Sequence, residues 1–326
     1  MQPKVFIIIL NWNNWPDVLE CLESLKDNDY PNYQVVIVDN GSDKKPQPLY
    51  QDIKIIYNKK NLGFSGGNNV GIKYALENNA DYVLLLNDDT IVSQDFLSKL
   101  VEVAENNNKI GIIGPKIYFY NNDVILSQQA KDLNEIDSSA LPQNDRESRG
   151  KLWSAGGKIN WLYNKGEMIG YNKEDKGQYD SPKVQETEFL TGCCVLVKKQ
   201  AIEKIGLMPE EYFLYYEDTD WSLKARENGF KCVFVPDAKI WHKGSQSSIS
   251  GSSSYIYYHI RNGLIIAQKY APWYIKPIIH LDVFYRIIKQ VFKMIFMPKK
   301  RTWAKYILLG IKDLYFKRLG KYENWH

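Results

Sequence analysis

Residues 84–90 read LLLNDDT, in which three leucines run directly into Asn87 and two adjacent carboxylates, Asp88 and Asp89. A short apolar run bounded by polar residues is typical of a strand that is buried on both faces of a parallel sheet. Two neighbouring carboxylates repel each other when both are ionised, so a cation or hydrogen-bond donors should lie close to them. The stretch therefore predicts a central strand that ends at a ligand-binding edge of the sheet.

The same kind of run recurs through the N-terminal part of the chain. Runs rich in β-branched residues predict strands at 4–10, 34–38, 53–57 and 82–86, and apolar residues at helical spacing predict helices at 17–26 and 69–77. Strands and helices that alternate in this way form a doubly wound α/β fold, with helices on both faces of the sheet. We therefore predict this fold class.

Polar residues follow each of the four predicted strands, where ligands collect in sheets of this class. Asn11 ends the first strand, Asp39 ends the second, and Asn87 begins the polar end of the fourth. The third strand is followed by Asn61 and by GFSGGNN at 63–69. At a single strand end such residues can be ordinary turn formers. Four ends together favour a binding site.

The glycine-rich segment at 63–69 does not match the common nucleotide-binding fingerprints. Its spacing is G-x-x-G-G and it follows the third strand, whereas the dinucleotide fingerprint follows the first strand, and no GxxxxGK[ST] occurs in the sequence. We interpret the glycines as allowing the backbone to approach a base or phosphate, with Asn68 forming a hydrogen bond nearby.

The composition is that of a globular protein. The chain has 326 residues, of which 44% are hydrophobic and 25% are charged, and no run in it is long and apolar enough to predict a membrane-spanning helix. Its four cysteines lack the spacing of a zinc site, so we expect buried, reduced thiols in a cytosolic protein.

The C-terminal region is basic and amphipathic. Residues 255–326 carry 14 Lys and Arg against 3 Asp and Glu, whereas residues 1–254 carry 28 against 35. On a helical wheel one face holds apolar residues and the opposite face holds basic ones, namely Phe284, Ile287, Ile288, Val291 and Ile295 against Arg286, Lys289 and Lys293. This pattern is typical of a helix in an anionic membrane interface, although a helix packed on its own domain gives it as well. The aromatic and basic sequence FMPKKRTWAKY at 296–306 favours the membrane and disfavours nucleic acid as a partner.

A second acidic cluster, Glu217, Asp218 and Asp220, opens a predicted helix and follows the aromatic stretch FLYY at 213–216. A helix N-terminus favours acidic residues through its dipole, whatever their function. An apolar wall beside them would also raise a carboxylate pKa toward the range of a general base. The cluster is therefore a candidate for proton transfer.

Residues 121–185 are polar and irregular, and residues 132–150 within them have the composition of a disordered segment. Trp153 and Trp161 lie in this region. Their rings could stack on the sugar of an acceptor or pack within the loop, and the sequence leaves both readings open.

Seven sequence blocks resemble those of the family 2 glycosyltransferases with a GT-A fold, and within them the rhamnosyltransferase-like branch. The blocks extend in the family's order over about residues 4–263, and they read VFIIILNWNN, VVIVDNGS, NLGFSGGNNVGI, LLLNDDT, TGCCVLVKKQAIEKIG, FLYYEDTDWSLKARENG and IWHKGS. The resemblance implies a GT-A-type mixed, mostly parallel sheet flanked by helices over residues 1–263, with a nucleotide-binding half at 1–120 and an acceptor-binding half at 121–263. Residues 264–326 would form a helical C-terminal extension at the membrane surface.

The resemblance also implies roles for individual residues. Asp218 would be the catalytic base, and Asp89 and His242 would bind Mg²⁺ or Mn²⁺. Asn87 stands where the family's usual DxD motif has its first Asp, so Asp88 would contact the ribose or diphosphate. The remaining candidates line the nucleotide-sugar pocket, namely Asn11, Asp39, Asn61, Gly63 and Asn68, or the acceptor site, namely Trp153, Trp161 and Glu217.

The activity implied by the resemblance is inverting, metal-dependent sugar transfer from a nucleoside-diphosphate sugar to a glycan hydroxyl. The donors dTDP-rhamnose, UDP-hexose and GDP-sugar stay open, and the family favours the first. A lipid-linked glycan is the expected acceptor, which would place the protein in the cytoplasm, on the inner face of the cell membrane. The alternatives are a nucleotidyltransferase that forms sugar nucleotides and a non-catalytic carbohydrate-binding protein on a transferase scaffold.

Overall fold

The computed structural model describes residues 2–44, 53–120, 150–244 and 251–323. The strands in these ranges are β1 (Val5–Asn11), β2 (Tyr33–Asp39), β3 (Lys54–Tyr57), β4 (Tyr82–Asn87), β5 (Thr90–Val92), β6 (Ile110–Phe119), β7 (Leu152–Ser154), β8 (Gly157–Asn160), β9 (Lys165–Met168), β10 (Gln185–Glu186), β11 (Cys194–Lys198) and β12 (Lys231–His242). The α-helices are α1 (Trp15–Leu25), α2 (Gly63–Glu77), α3 (Phe96–Glu105), α4 (Lys199–Ile205), α5 (Glu217–Glu227), α6 (Ser253–Tyr270), α7 (Lys276–Phe296) and α8 (Arg301–Tyr315).

The main sheet is mixed and mostly parallel, which confirms the predicted fold class. Its strands lie in the order β10-β12-β6-β11-β4-β1-β2-β3, with β5 beside β12 and β7 beside β6. Strands β4, β1, β2 and β3 are parallel, and β11 runs antiparallel between β4 and β6. A separate hairpin is formed by β8 and β9. The predicted strands are present with bounds shifted by one residue or less at each end.

Strand β1 is buried on both faces because its side chains enter two apolar cores in alternation. Val5, Ile7 and Ile9 lie in one core, and Phe6 and Ile8 lie in the other. This is the arrangement expected for a central strand between two helical layers.

Helix α2 begins at Gly63, six residues before the predicted start at 69. A Cβ on Gly67 would lie 2.4 Å from Leu10, and a Cβ on Gly71 would lie 2.4 Å from Ile8. These glycines therefore let the helix pack closely against β1. Because glycine has a low helix propensity, the sequence pattern did not predict the first turns of α2. In the structure these glycines have a packing role within the protein.

The C-terminal helices pack on the rest of the protein through a third apolar core. Residues of α6, α7 and α8 meet Tyr212 and Leu223 in this core. The predicted domain boundary at residue 263 falls inside α6, which is continuous from Ser253 to Tyr270, because that boundary rested on charge and motif content and not on helix ends. Among the described residues, no helix combines the length and apolarity needed to cross a bilayer.

Two other expectations concern side chains and loops. The four cysteines are buried and unpaired, as predicted. The segment 132–150, which was predicted to be disordered, lies outside the described residues except for Gly150.

Candidate active site

The carboxyl ends of β4, β1 and β2 meet at one edge of the sheet. In the strand register Asn11 pairs with Asp39, and Leu10 pairs with Asn87. The structure therefore brings together the polar strand ends that the sequence predicted to form a site.

Asn11 and Asp39, which were predicted to line the nucleotide-sugar pocket, are both buried at this edge. The side-chain amide of Asn11 donates to Oδ2 of Asp39 at 3.1 Å, and the backbone N–H of Ser42 donates to Oδ1 at 2.9 Å. Asp39 therefore caps the turn after β2, and Asn11 fixes its second oxygen. Each carboxylate oxygen keeps lone-pair capacity for a further donor.

Asn40 joins the ends of β2 and β3, and the sequence analysis assigned it no role. Its amide nitrogen donates to Oδ1 of Asn61 at 3.1 Å and to the carbonyl oxygen of Gly63 at 3.0 Å, while its own oxygen accepts from the N–H of Leu62. Gly63 has φ +76°, and a Cβ there would lie 2.4 Å from the carbonyl oxygen of Phe213. Asn61 and Gly63 thus lie where predicted, but Asn40 holds them there.

The side chain of Asn68 faces its own helix. Its amide donates to the carbonyl oxygen of Phe64 at 3.0 Å, and the residue is buried. One N–H of this amide thus satisfies a carbonyl of the first turn of α2, and the predicted hydrogen bond from Asn68 to a ligand stays a prediction.

Asp89 and His242 lie side by side beneath the sheet edge. Nε2 of His242 is 3.2 Å from Oδ1 of Asp89, and both residues are buried. Apart from this ion pair, no hydrogen bond of standard geometry reaches the two carboxylate oxygens or the two ring nitrogens. Burial by itself would lower the pKa of His242, but Cys193 and Asp89 raise it well above its usual value. His242 is the last residue of β12, which stays paired with β5 and β6 to its end.

A buried carboxylate and imidazole that lie next to each other, with few other partners, fit a divalent cation. No group of three or more His, Cys, Asp or Glu side chains suited to a metal occurs among the described residues. A cation at Asp89 and His242 would therefore take its other ligands from water and from a bound diphosphate, as Mg²⁺ commonly does. Asp89 and His242 therefore fit the predicted Mg²⁺ or Mn²⁺ if water and a diphosphate supply the other ligands.

Asp88 points to a different environment from its neighbour. Burial and the charges of Asp89 and Asp17 raise its pKa to about 8. A carboxyl group with such a pKa is partly protonated near neutral pH and can donate to an oxygen of a ribose or diphosphate. This is consistent with the predicted nucleotide contact.

Asp218 lies in the first turn of α5. The backbone N–H of Gly192 donates to Oδ2 at 2.9 Å, and the backbone N–H and the hydroxyl of Thr219 donate to Oδ1 at 2.6 and 3.2 Å. Burial raises the pKa of Asp218, and these hydrogen bonds limit the rise. The carboxylate is thus oriented by the protein and is a stronger base than a free aspartate.

Gly192 and Cys193 connect the two halves of the site. The N–H of Gly192 holds Asp218, and the next residue, Cys193, accepts from the N–H of Asn87 through its carbonyl oxygen at 2.8 Å. The side chain of Cys193 interacts electrostatically with His242. One dipeptide therefore contacts the predicted base, the end of β4 and the predicted metal ligand.

Glu217 is buried beside Asp218, and its Oε2 forms no hydrogen bond within the protein. Burial, together with the charge of Asp218, raises its pKa well above the usual value. A buried carboxyl group with a free oxygen is suited to bind a hydroxyl group.

The loop before Asp218 has an unusual backbone. Phe213, Tyr215 and Tyr216 all have positive φ, at 65°, 68° and 73°. The side-chain amide of the buried residue Asn262 donates to three carbonyl oxygens of this loop, those of Tyr212 at 3.0 Å, Leu214 at 2.8 Å and Tyr215 at 2.9 Å. No expectation from the sequence included Asn262. Its signal in the sequence is a polar pair, Arg261 and Asn262, between the stretches YIYY at 255–258 and GLIIA at 263–267.

The structure separates the two tryptophans that were predicted near the acceptor. Trp153 lies on β7, and its ring packs edge-on against His242 with centroids 4.7 Å apart. Trp161 follows β8 and packs against the C-terminal helices. Trp153 is therefore part of the surroundings of the metal pair, whereas Trp161 stays available as an acceptor contact.

Comparison with known proteins gives a family and relatives. Residues 6–206 match the family model described as glycosyl transferase family 2. The chain is 25% identical to the low-salt glycan biosynthesis hexosyltransferase Agl10 of Haloferax volcanii, over 82% of this chain and 76% of that protein. It is 22% identical to the dTDP-rhamnosyl transferase RfbF of Shigella flexneri, over 82% and 81%. It is 24% identical to the N-acetylglucosaminyl-diphospho-decaprenol L-rhamnosyltransferase of Mycobacterium tuberculosis, over 83% and 87%.

A solved structure shows the same fold. The crystal structure of GalNAc-T7 with UDP, GalNAc and Mn²⁺ superposes with a TM-score of 0.60 at 14% sequence identity, over 97% of this chain and 57% of that chain. At this identity the similarity bears on architecture alone, and it confirms the predicted GT-A-type fold.

Proposed function

The chain belongs to glycosyl transferase family 2, so it is an inverting glycosyltransferase that uses a nucleotide sugar, and we propose that it transfers L-rhamnose to a lipid-linked saccharide. Two of the relatives described above are named as rhamnosyltransferases, and one of these names gives a diphospho-decaprenol acceptor. These names support dTDP-rhamnose as the donor and a polyprenyl-linked glycan as the acceptor, in the synthesis of a cell-surface polysaccharide. Such an acceptor would place the reaction at the cytoplasmic face of the membrane.

The observation that carries this proposal is the link through Gly192 and Cys193. It joins Asp218, which the N–H of Gly192 orients, to the end of β4 and to the buried pair of Asp89 and His242. An enzyme of this class needs a base for the acceptor hydroxyl and a site for the departing diphosphate, in fixed relation to each other.

In the proposed reaction Asp218 accepts the proton of an acceptor hydroxyl. The oxygen of that hydroxyl attacks the anomeric carbon from the face opposite the diphosphate, and the bond to the diphosphate breaks with its electron pair leaving on the phosphate. A single displacement of this kind inverts the anomeric configuration. The N–H groups of Gly192 and Thr219 hold the carboxylate in place, which lowers the orientational cost of the proton transfer.

The other residues of the site would bind and orient the donor. Asn11 and Asp39 would hold the base or ribose, and Asp88 would hold a ribose or diphosphate oxygen. Mg²⁺ or Mn²⁺ at Asp89 and His242 would supply Lewis-acid stabilisation of the departing diphosphate. Glu217 and Trp161 would contact the acceptor.

A donor screen tests the proposal. Heat of binding to the full chain is measured with Mn²⁺ for dTDP-rhamnose, dTDP-glucose, UDP-glucose and GDP-mannose. We expect dTDP-rhamnose to bind most tightly, with dTDP-glucose separating the contribution of the sugar from that of the base. Preference for GDP-mannose or UDP-glucose would overturn the rhamnose assignment, and binding without turnover on any polyprenyl-diphosphate saccharide would revive the non-catalytic alternative.

A further inference from the structure

Helix α7 exposes a broad apolar face. Ile279, Val283 and Gln290 are buried against the neighbouring helices. The opposite side of the same helix exposes large apolar side chains at helical spacing, namely Ile278, Leu281, Phe284, Tyr285, Ile288, Val291, Phe292, Ile295 and Phe296. Leu281 is 69% exposed and Phe284 is 64% exposed. Contiguous apolar surface of this kind on a soluble protein marks an interaction site.

The exposed apolar surface continues beyond α7. Trp273, which is 82% exposed, and Tyr274 lie in the turn between α6 and α7, while Leu162 and Tyr163 lie at the tip of the β8–β9 hairpin. Tyr274 and Leu162 line the same shallow groove of about 340 Å³, together with Trp161. The hairpin tip, the turn and the outer side of α7 are referred to below as the apolar surface.

Basic residues border the apolar surface, and few acidic residues lie near them to neutralise their charge. Lys289 and Lys293 lie beside it on α7, and Lys299, Lys300 and Arg301 follow the end of that helix. Lys293 is half-buried and the other four are exposed. Desolvation lowers the pKa of Lys293, and the nearby charges of Lys289 and Lys300 lower it further. The cations therefore lie close to one another.

The acidic residues of this region are already engaged in most cases. Among the described residues from 273 onward they are Asp282, Asp313 and Glu323. Asp282 forms an ion pair with Arg286, and the buried Asp313 accepts from the hydroxyl of Tyr257 at 2.8 Å. The border of the apolar surface is thus positive.

We propose that the apolar surface lies in the interface of an anionic lipid bilayer. Aliphatic and aromatic side chains of α7 would enter the acyl boundary, while the bordering Lys and Arg side chains bind lipid phosphates. A second copy of the chain fits less well, because pressing two such faces together brings like charges against each other. The positive border instead complements a negative surface.

This placement would bring the acceptor to the catalytic residues. The groove at Trp161 and Tyr274 opens at the apolar surface. In the same hairpin, the backbone of Gly166 forms a hydrogen bond with the hydroxyl of Tyr216, two residues before Asp218. A saccharide on a bilayer-anchored lipid could therefore extend along the hairpin to Asp218. This step rests on the proposed function, whereas membrane binding itself does not.

Vesicle co-sedimentation of the full chain tests the membrane surface. We expect binding to vesicles of phosphatidylcholine with phosphatidylglycerol and much weaker binding to phosphatidylcholine alone. The triple substitution Leu281→Glu, Phe284→Glu and Ile288→Glu should abolish binding. The control places the same charges at exposed apolar residues elsewhere, Tyr57→Glu, Tyr171→Glu and Val184→Glu, and should bind as the unmodified chain does.

A second set of variants tests the charged border without changing the apolar residues. Lys289→Gln, Lys299→Gln and Lys300→Gln together should weaken binding to anionic vesicles by about 100-fold, since each basic residue near such a surface contributes about fivefold. Lys73→Gln, Lys109→Gln and Lys173→Gln remove the same charge from other exposed positions and should change binding little. This set keeps the proposal testable if the glutamate variant does not fold.

Three results would overturn the proposal. They are equal binding of the glutamate variant and its control, equal binding of the two glutamine variants, and a dimer in solution that the glutamate variant converts to a monomer. Because vesicle binding is measured without substrate, loss of sugar transfer with normal vesicle binding would count against the proposed function only.

Discussion

The side-chain nitrogen of Asn262 lies 2.9 Å from the carbonyl oxygen of Tyr215. Tyr215 and Tyr216 both have left-handed backbone conformations, each of which costs on the order of 1–3 kcal/mol in a residue with a side chain. Helix α6 therefore holds a strained loop in place, and Asp218 follows that loop by two residues. Asn262 positions the base without contacting it.

Replacing Asn262 by Ala should remove the donor that the loop carbonyls share. Each buried carbonyl left without a donor costs about 1–3 kcal/mol, so we expect a lower free energy of unfolding and a lower kcat with little change in the donor KM. Denaturant unfolding and steady-state kinetics measure the two effects. Asn228→Ala is the matched control, because Asn228 donates to a single carbonyl on an exposed part of α5. A loss of stability with normal kcat would make Asn262 purely structural.

Asp218→Asn should abolish sugar transfer while donor binding is retained. For the unmodified chain, the base must be ionised to accept a proton, and burial raises its pKa above that of a free aspartate. The rate should therefore fall as the pH drops through this raised pKa, at a higher pH than an exposed aspartate would give.

The substitution Thr219→Val tests whether the pH dependence of the rate arises from Asp218. The hydroxyl of Thr219 donates to Asp218 and so stabilises the ionised form. Its removal should raise the pKa of Asp218 further and move the acid limb of kcat/KM to higher pH. A limb that stays in place, or that moves to lower pH, would show that the limb does not report Asp218.

Asp89→Asn and His242→Gln should each weaken metal-dependent donor binding by more than about tenfold, since loss of one ligand of a two-ligand site leaves the cation poorly held. Binding of Mn²⁺ in the presence of UDP or dTDP, measured by calorimetry, gives a readout that does not depend on turnover. Asp95→Asn, which removes an exposed carboxylate paired with Lys99, is the control. Unchanged Mn²⁺ affinity in both variants would remove the pair from the metal site.

Glu217→Gln should make the protein more stable at neutral and alkaline pH. The pKa of Glu217 is raised in the folded protein, so the protonated form stabilises the fold below the unfolded pKa, and that stability is lost as the pH rises through the folded pKa. Glutamine keeps the shape without the ionisation. The free energies of unfolding of the two proteins should diverge with rising pH, and parallel pH curves would contradict the assignment.

Local sequence patterns predicted the strands and the edge at which they end, because buried strands and polar strand ends are properties of short segments. Contacts between distant segments could not be read in this way. Asp220 pairs with Lys269 of α6 at 2.7 Å, although 49 residues separate the two in the sequence. The role of Asn262 could not be predicted either, because its hydrogen-bond partners lie about 50 residues earlier in the sequence.

The start of α2 and the position of His242 show a second reason why local sequence patterns do not locate the ends of helices and strands. Glycine-rich helices and long irregular strands are stabilised mainly by the residues that they pack against. The local propensity of their sequence is therefore a weak predictor of where they begin and end. Strand β12 also shifts register between Val235 and Lys239. Its end could therefore not be located from alternation alone.

The tail of the chain and the base are joined by a relay of hydrogen bonds. The carbonyl oxygen of Gly320 accepts from the guanidinium of Arg261 at 2.8 Å, and the same guanidinium donates to Oδ1 of Asn262 at 2.9 Å. Removing the last helices to obtain a more tractable enzyme would therefore take two of its acceptors, the carbonyl oxygens of Arg318 and Gly320, from a buried cation. It would also loosen the amide that holds the loop before Asp218. If a shortened protein lost activity, the cause could be this structural damage or detachment from a membrane, and activity alone would not distinguish them. Point substitutions on α7 avoid this ambiguity.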